Sequence, residues 1–460
     1  MRSSLGLASR LCDLRLAPRP RLCSPRTRAS SGASGPIESG MASPAAPTGA
    51  AAAAADINAL GAALLSTVHR APAAAAAAPP PGAAGTFVSP ISISLALVLL
   101  VNGAAEGSAV HRQLMGVLAK GEGSTAAANA RYEALVAAMH EAAAAGGAES
   151  CAADGGAAEG GGEAPLTLSI ATSLWARPPL RFQPAYQSEL QARLAASAHA
   201  LTGAAGVNEW VSRETRGRIP ELVDEGAVAR AVAVLASAVY FKGAWQHAFD
   251  AAATRPAPFR LGSGAEAAAP TMFAKFQRGQ AGYVEREGEF QGVRLPYKGG
   301  AFNAVALLPH AGAAGADGAA ALARRLAGEP GLLAGLQWAR PEVLVWLPRF
   351  KLECSMSLKS ALGEAGVTAP FAASPDFSRM LEGESRLVVD EVVHKVFIEV
   401  NERGTEAAAA TGVLMMRTAM PLRPPPEVRF DRPFVFGVEH AASGAMLFLG
   451  VVEKPETAEE

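Results

Sequence analysis

Residues 394–426 read HKVFIEVNERGTEAAAATGVLMMRTAMPLRPPP, and the middle of this stretch is unusual for a segment that joins two strands. From Ala407 to Met416 it contains neither a charged residue nor a proline, whereas connecting loops are normally polar and rich in turn residues. Strand alternation gives it one uncharged face that grows from small to large side chains: Thr405, Ala407, Ala409, Thr411, Val413 and Met415. The stretch is therefore predicted to be able to enter a sheet as a buried strand.

The alternative for the four alanines is a short helix, because alanine is abundant in this chain and is the best helix former. The flanking sequence favours the strand. The run directly follows Glu402–Glu406 (ERGTE) and ends a loop's length before Phe430, where further strand-like sequence begins.

The composition excludes several classes of protein. The 460 residues include 41 basic and 42 acidic side chains, a net charge of −1, so there is no basic surplus to neutralise nucleic-acid phosphates. The hydrophobic fraction of 50% is too high for a disordered chain, and four cysteines are too few for a disulfide scaffold. No stretch of large apolar residues has the length of a membrane span, so no membrane partner is expected. No catalytic motif or clustered Cys/His spacing occurs, so neither an enzyme, nor a metal, nor a cofactor is predicted.

The ends of the chain differ from its body. Residues 1–50 are predicted to be a leader whose first 35 residues are rich in Arg and Ser, with Asp13 as the only acidic residue. That composition is typical of an organellar transit peptide, and a disordered tail or a start at Met41 remains an alternative. A transit peptide would direct the protein to a chloroplast or mitochondrion; otherwise a cytoplasmic or extracellular location is open. Residues 51–455 are predicted to form one domain with a flexible low-complexity insert at 141–164, followed by a tail at 456–460.

Helical patterns are concentrated early in the body and strand patterns late. This order predicts an α+β fold with helices packed around large, mostly antiparallel sheets. Ser89-Pro90 is a plausible helix start for the almost entirely apolar stretch that follows, which is typical of a central helix. Asp56 is the corresponding N-cap candidate for a helix over 56–70.

Six motifs then occur in the order in which one known family carries them: Asn208–Ile219 (NEWVSRETRGRI), Ala238–Asp250 (AVYFKGAWQHAFD), Leu347–Lys351 (LPRFK), His394–Glu402 (HKVFIEVNE), Phe430–Phe434 (FDRPF) and Gly444–Gly450 (GAMLFLG). The chain resembles the serpins, and the wording after His394 is most similar to plant-type members. The resemblance covers about residues 55–455.

The resemblance implies a serpin fold with an exposed reactive-centre loop at 402–426 and a suicide-substrate mechanism. A protease cleaves the loop, forms an acyl-enzyme and is trapped when 405–416 insert into the main sheet. The residues that the resemblance assigns to the hinge are Glu402, Gly404, Thr405, Glu406, Ala407, Ala408, Ala409 and Ala410. A non-inhibitory serpin that acts as a chaperone, carrier or storage protein is the alternative, and the small-residue hinge argues against it.

The scissile bond has more than one candidate. Family spacing from Gly404 leads to Thr418–Ala419, whereas Arg417, the only charged side chain in this part of the loop, favours Arg417–Thr418. Arginine suits the carboxylate-floored pocket of trypsin-like proteases, the favoured partners. Met415 or Met416 is the further alternative and would indicate chymotrypsin-like or cysteine proteases. The inhibitor is expected to be a monomer that is able to polymerise.

The resemblance also assigns a region where the sheet opens. Ser237 stands where serpins usually carry Asn, with His394 as its expected hydrogen-bond partner and with Ser89 and Ser92 in the same cluster. Trp245 is expected near the point where insertion begins.

Overall fold

The computed structural model describes residues 48–70, 84–120, 123–152, 166–312, 318–329, 331–372, 376–383, 387–405 and 424–455. The leader up to residue 47, the tail from residue 456 and residues 406–423 lie outside these ranges. Predictions for the hinge residues Glu406 and Ala407–Ala410, and for Arg417, Thr418 and Ala419, therefore concern residues outside the described part of the chain.

The helices of the described ranges are α1 (Thr48–Arg70), α2 (Pro90–Gly103), α3 (Ala109–Leu118), α4 (Thr125–Ala152), α5 (Pro184–Leu194), α6 (Ala204–Glu214), α7 (Glu225–Val228), α8 (Gly318–Gly328) and α9 (Lys359–Glu364). The strands are β1 (Gly85–Val88), β2 (Thr167–Ala176), β3 (Ser197–Ala200), β4 (Ala233–Ala244), β5 (Arg255–Arg260), β6 (Glu266–Phe276), β7 (Gly282–Arg286), β8 (Phe290–Pro296), β9 (Phe302–Pro309), β10 (Val343–Pro348), β11 (Phe350–Ser357), β12 (Val389–Val400), β13 (Gly404–Thr405), β14 (Glu427–Arg429), β15 (Phe434–His440) and β16 (Met446–Val452).

The central helix is α2, and it begins where the sequence predicted. Ser89 caps it by accepting a hydrogen bond from the backbone of Ser92, Pro90 occupies the first turn, and every residue of the helix is buried. The predicted start of α1 is wrong, because the helix begins at Thr48 and Asp56 lies inside it. Alanine-rich sequence ahead of Asp56 has a high helix propensity and extends the helix.

Two alanine-rich segments, the end of α4 and the whole of α1, form helices in the structure. The insert predicted to be flexible over 141–164 is helical through residue 152, because α4 continues to Ala152 on alanine-rich sequence. Helix α1 is long and apolar enough to cross a membrane, but 67% of its most apolar window is buried inside the protein, as in a core helix of a globular domain.

The described strands form three sheets. The main sheet has the order β11-β12-β4-β2-β3, with the two-residue β13 paired to β4. A second sheet has the order β1-β16-β15-β9-β8-β7, and a third has the order β14-β10-β6-β5. Most pairs are antiparallel, as predicted; β4 with β12, β2 with β3 and β10 with β14 are parallel.

The two faces of the main sheet contact different cores. Along β4, Leu235 and Val239 belong to the large core that contains α2, whereas Ala236 and Ala238 belong to a smaller cluster that includes Trp210 of α6. We call these the core face and the α6 face. Odd-numbered residues of β4 therefore point to the core face, as alternation in a strand requires.

The contact between α1 and α2 leads to a first prediction. A β-carbon at Gly61 of α1 would overlap the ring of Pro90 at the start of α2, so Gly61→Ala is expected to lower the free energy of unfolding by about 1–3 kcal/mol. Gly116→Ala in α3 is the matched control, because its β-carbon would meet no atom within 4 Å. That variant is expected to be neutral or up to about 1 kcal/mol more stable. Urea unfolding measures both, and equal effects of the two substitutions would contradict the packing account.

Candidate functional site

The candidate site is the seam between the parallel strands β4 and β12. Their register runs from Ala233 opposite Val389 up to Val239 opposite Val396. Above that point the two strands no longer pair with each other, although β4 continues to Ala244. We call the amino-terminal end of β4 the lower end of the sheet and its carboxyl-terminal end the upper end. The main sheet is thus closed between β4 and β12 in its lower part and open between them at its upper end.

The two residues of β13 enter this opening. Gly404 pairs with Ala244 and Thr405 with Gly243, in the antiparallel direction. Because β13 follows β12 after a tight turn, it continues on the side of β4 that faces β12. Gly404 has a φ of 146°, and a β-carbon there would overlap the carbonyl oxygen of Gly243. Glycine is therefore required where the chain leaves the turn and meets β4.

Two aromatic side chains hold Thr405 in the opening. Thr405 is 1% exposed, and its hydroxyl lies 2.8 Å from the hydroxyl of Tyr297. The Tyr297 ring stacks on Trp245 with the ring centroids 4.6 Å apart. The indole N–H of Trp245 donates to the carbonyl oxygen of Asn401 at 2.9 Å, and its backbone N–H donates to that of Arg403. The structure therefore brings Trp245 to the start of the loop; Tyr297 was not anticipated, because no motif marks it.

Glu402 anchors the turn before the loop through a buried carboxylate. The residue is 5% exposed, and Arg349 donates to the carboxylate from Nε at 2.7 Å and from Nη2 at 2.5 Å. The Thr254 hydroxyl donates to the same oxygen. Burial alone would raise the pKa of Glu402, but the bonds from Arg349 and Thr254 outweigh it and lower the pKa below its ordinary value. Arg349 was visible in the sequence only as the variable position of LPRFK.

The polar residues predicted for the sheet opening lie together at mid-height of the seam, at the start of α2. The backbone N–H of Ser89 donates to Nε2 of His394 at 2.9 Å. The hydroxyl of Ser237 donates to Ser92 at 2.7 Å and not to His394, which corrects the expected Ser237–His394 side-chain bond. A serine side chain is shorter than asparagine, and here the nearer partner is on α2. Nδ1 of His394 has no well-aligned partner, although the backbone of Ser237 lies beside it.

His394 is fully buried, and burial lowers its pKa to about 3; the neighbouring Ser237 backbone opposes this only in part. The imidazole is therefore neutral at pH 7, with Nε2 as an acceptor and the proton on Nδ1.

The lower end of the seam has its own contacts. The carboxylate of Asp390 on β12 accepts from the backbone N–H groups of Val232 and Ala233, where β4 begins, at 2.5 and 3.4 Å. Higher in the seam, where it is opposite Ala238, Lys395 donates to the carbonyl oxygen of Glu221, in the segment that follows α6, at 2.7 Å. These bonds join β12 to β4 and to the connection that precedes β4.

Within the described ranges, no group of three or more His, Cys, Asp or Glu side chains could hold a metal ion. The site is built from unpaired strand edges, hydroxyls, one imidazole, and the carboxylates of Glu402 and Asp390.

The comparisons with known proteins agree with this geometry. Residues 76–455 match the family model described as Serpin (serine protease inhibitor). The chain belongs to the serpin family. The match confirms the predicted fold class, and it confirms the prediction of a protease inhibitor.

Two relatives and one solved structure illustrate the similarity. The leukocyte elastase inhibitor of Bos taurus is 36% identical over 306 residues, which are 64% of this chain and 79% of the relative. Serpin-Z1C of Triticum aestivum is 31% identical over 392 residues, 81% of this chain and 90% of the relative. The native stressed conformation of Arabidopsis AtSerpin1 superposes with a TM-score of 0.70 at 26% identity and covers 88% of this chain and 98% of its own.

The buried imidazole leads to a second prediction. The pKa of His394 is about 3 in the folded protein against 6.5 ordinarily, so between these values the unfolded chain binds the proton and the folded protein does not. His394 alone should therefore contribute a fall of about 1.4 kcal/mol per pH unit to the free energy of unfolding as the pH drops below 6.5. In His394→Gln, whose amide oxygen can still accept from Ser89, this contribution is absent. Urea unfolding from pH 7 to pH 4 compares the two slopes, and identical slopes would show that His394 is not the titrating group.

Proposed function

We propose that this serpin inhibits its target by the suicide-substrate mechanism, with cleavage at Arg417–Thr418 and insertion of 405–416 between β4 and β12. The observation that carries the proposal is the seam itself: a parallel strand pair that is open at its upper end, with β13 already paired at the entrance. A strand that continues from Thr405 would be antiparallel to both neighbours.

The register of β13 supports the proposed insertion. Carried down β4, it sets each odd-numbered loop residue opposite an odd-numbered residue of β4, beginning with Thr405 opposite Gly243. Thr411 then falls opposite Ser237. The bridge between Asn401 and Gly404 gives an independent register against β12, and it sets Thr411 opposite His394. The two registers agree that Thr411 would lie between these residues.

The chemistry of the loop fits the faces that this register assigns. Odd-numbered loop residues would point to the core face, where Leu235, Val239 and Val396 are fully buried. These loop residues form the uncharged face that grows from small to large side chains. The Thr411 hydroxyl would enter the polar cluster around His394, so the one buried polar side chain in mid-strand would find polar partners.

The lengths also fit. Strand β4 has 12 residues, and residues 404–415 are equal in number. Arg417 would then lie just beyond the lower end of β4, opposite Ala231. A protease attached to Arg417 through the acyl bond would therefore move from the upper to the lower end of the sheet, a distance of about 40 Å for 12 residues at 3.4 Å each.

The covalent step needs only the chemistry of the attacking protease. Its nucleophile adds to the carbonyl carbon of Arg417, the peptide bond to Thr418 breaks, and the amine of Thr418 leaves with the proton supplied by the general acid of the protease. The resulting ester is either hydrolysed by water or trapped by insertion. The bovine relative is named as an elastase inhibitor, which supports a serine protease as the target class, and Arg417 favours trypsin-like members of that class.

The test of this function is titration with trypsin, read on a denaturing gel. We expect a covalent 1:1 band near the summed mass, and release of a carboxyl-terminal peptide that begins at Thr418, identified by mass spectrometry. A peptide that begins at Ala419 would move the bond to Thr418–Ala419. Rapid loop cleavage by trypsin, elastase and chymotrypsin with no covalent band would favour a non-inhibitory serpin.

A pair of loop variants tests the proposed faces. Ala409→Glu would bring a carboxylate to the core face beside Val239 and Val396, so insertion should slow and the loop should be cleaved as a substrate. The number of inhibitor molecules consumed per protease is expected to rise roughly tenfold or more, because burial of an unpaired charge costs several kcal/mol.

Ala408→Glu is the matched control. Its register position is beside Phe397 on the opposite face, where Lys351 lies 5.7 Å from the Phe397 ring and can pair with the new carboxylate. This variant should inhibit as the wild type does. An equal loss in both variants would contradict the register.

A further inference from the structure

The outer face of the third sheet carries a stack of side chains that the insertion mechanism does not use. Phe273, Trp346 and Arg429 occupy one row across β6, β10 and β14. The rings of Phe273 and Trp346 lie 4.8 Å apart, and the Arg429 guanidinium lies 3.8 Å from the centre of the Trp346 ring. We call this row the aromatic stripe.

The stripe is open to solvent, unlike the opposite face of the same strands. Val345 and Met272 on the inner face are completely buried, whereas Phe273 and Trp346 are only partly buried and the Arg429 side chain is 56% exposed. An exposed Phe–Trp–Arg row is unusual on a surface that contacts only water, and Trp and Arg are enriched among residues that dominate binding energy at interfaces.

The position of the stripe relates it to the reactive loop. The chain re-enters the body at the start of β10, where the backbone N–H of Leu344 donates to the carbonyl oxygen of Pro426 at 2.9 Å. The loop leaves the body near the other end of β10, where Arg349 binds Glu402. Trp346 lies between these two points, in the middle of the strand.

Charge on the flanks of the stripe is already paired. Arg429 donates to Glu427 at 2.9 Å, and Lys275 binds Glu342 at the same distance. The stripe therefore offers an aromatic surface with a planar cation stacked on it. A partner that buries it would contribute apolar contact to the rings and a carboxylate to the outer edge of the guanidinium.

We propose that the aromatic stripe is an exosite for the target protease, a second contact outside the active-site cleft. This inference rests on the proposed function, because the protease is brought there by its attack on the loop. Nine residues, hence ten Cα–Cα steps, separate Arg417 from Glu427. Even when extended they span at most about 36 Å. A protease domain of about 220 residues has a radius of gyration of about 17 Å, so a protease bound to the loop is large enough to contact the stripe.

The test uses trypsin whose catalytic serine is replaced by alanine, because this protein binds the loop but cannot cleave it. Affinity then reports docking without insertion. We expect Trp346→Ala and Arg429→Ala each to raise the Kd for inactive trypsin roughly tenfold or more. With active trypsin, both variants should form the covalent complex more slowly while the stoichiometry of inhibition is unchanged. Arg429 is largely exposed, so its variant reads out the contact even if Trp346→Ala folds poorly.

Arg286→Ala is the matched control, because Arg286 stacks on Phe290 at 5.9 Å in the second sheet, in a cation–π pair outside the aromatic stripe. This variant should bind as the wild type does. Unchanged Kd values for both stripe variants would overturn the exosite but not the proposed function. If the variants changed only the self-association of the inhibitor, the stripe would be a contact between two copies of the chain, and the exosite would again be wrong. A wild-type protein that neither binds inactive trypsin nor traps the active enzyme would overturn the proposed function and the exosite with it.

Discussion

The parallel pairing of β4 with β12 is the interaction on which the rest of this structure depends. The seam holds the main sheet together with seven register pairs, from Ala233 to Val239, and then stops short of the upper end of β4. An inserted strand would replace this one parallel ladder with two antiparallel ladders of about a dozen residues each. Each new hydrogen bond contributes about 0.5–1.5 kcal/mol, so the proposed insertion would stabilise the main sheet, and the seam would have to open for it to occur.

Contacts at three heights govern the seam. At the top, Glu402 and Thr405 tie the start of the loop to the body through Arg349 and Tyr297. In the middle, His394 is held by the amino end of α2 and stays neutral because it is buried. At the bottom, the Asp390 carboxylate joins β12 to the start of β4. In the proposed mechanism the loop would enter at the top, and the contacts in the middle and at the bottom would have to break before it could continue.

Features that depend on local sequence patterns could be predicted from the sequence, whereas pairings between distant residues could not. The alternating small and uncharged residues after Gly404, the apolar helix after Ser89 and the ordered motifs are local patterns, so they predicted a strand-competent loop, α2 and the family. The β4–β12 seam joins residues about 150 positions apart, and strand preference carries no information about such pairing. The partners of Glu402 and Thr405 were missed for the same reason, since Arg349 and Tyr297 reach them only through tertiary structure; Ser92 was placed in the cluster with Ser237, but His394 was expected to be the bonded partner. The alanine-rich end of α4 was misjudged because low complexity was taken to indicate a flexible loop, whereas alanine favours the helix.

The most direct test of the central claim is the thermal stability of the protein before and after its reactive loop is cut. A protease that is not trapped, or brief limited proteolysis, cleaves within 406–423 without removing the chain on either side. If residues from Thr405 onward then enter the seam, the midpoint of thermal unfolding should rise by tens of degrees, because roughly ten or more hydrogen bonds are added to the main sheet. An unchanged midpoint after complete cleavage would show that the seam does not accept the loop, and the insertion account would be wrong.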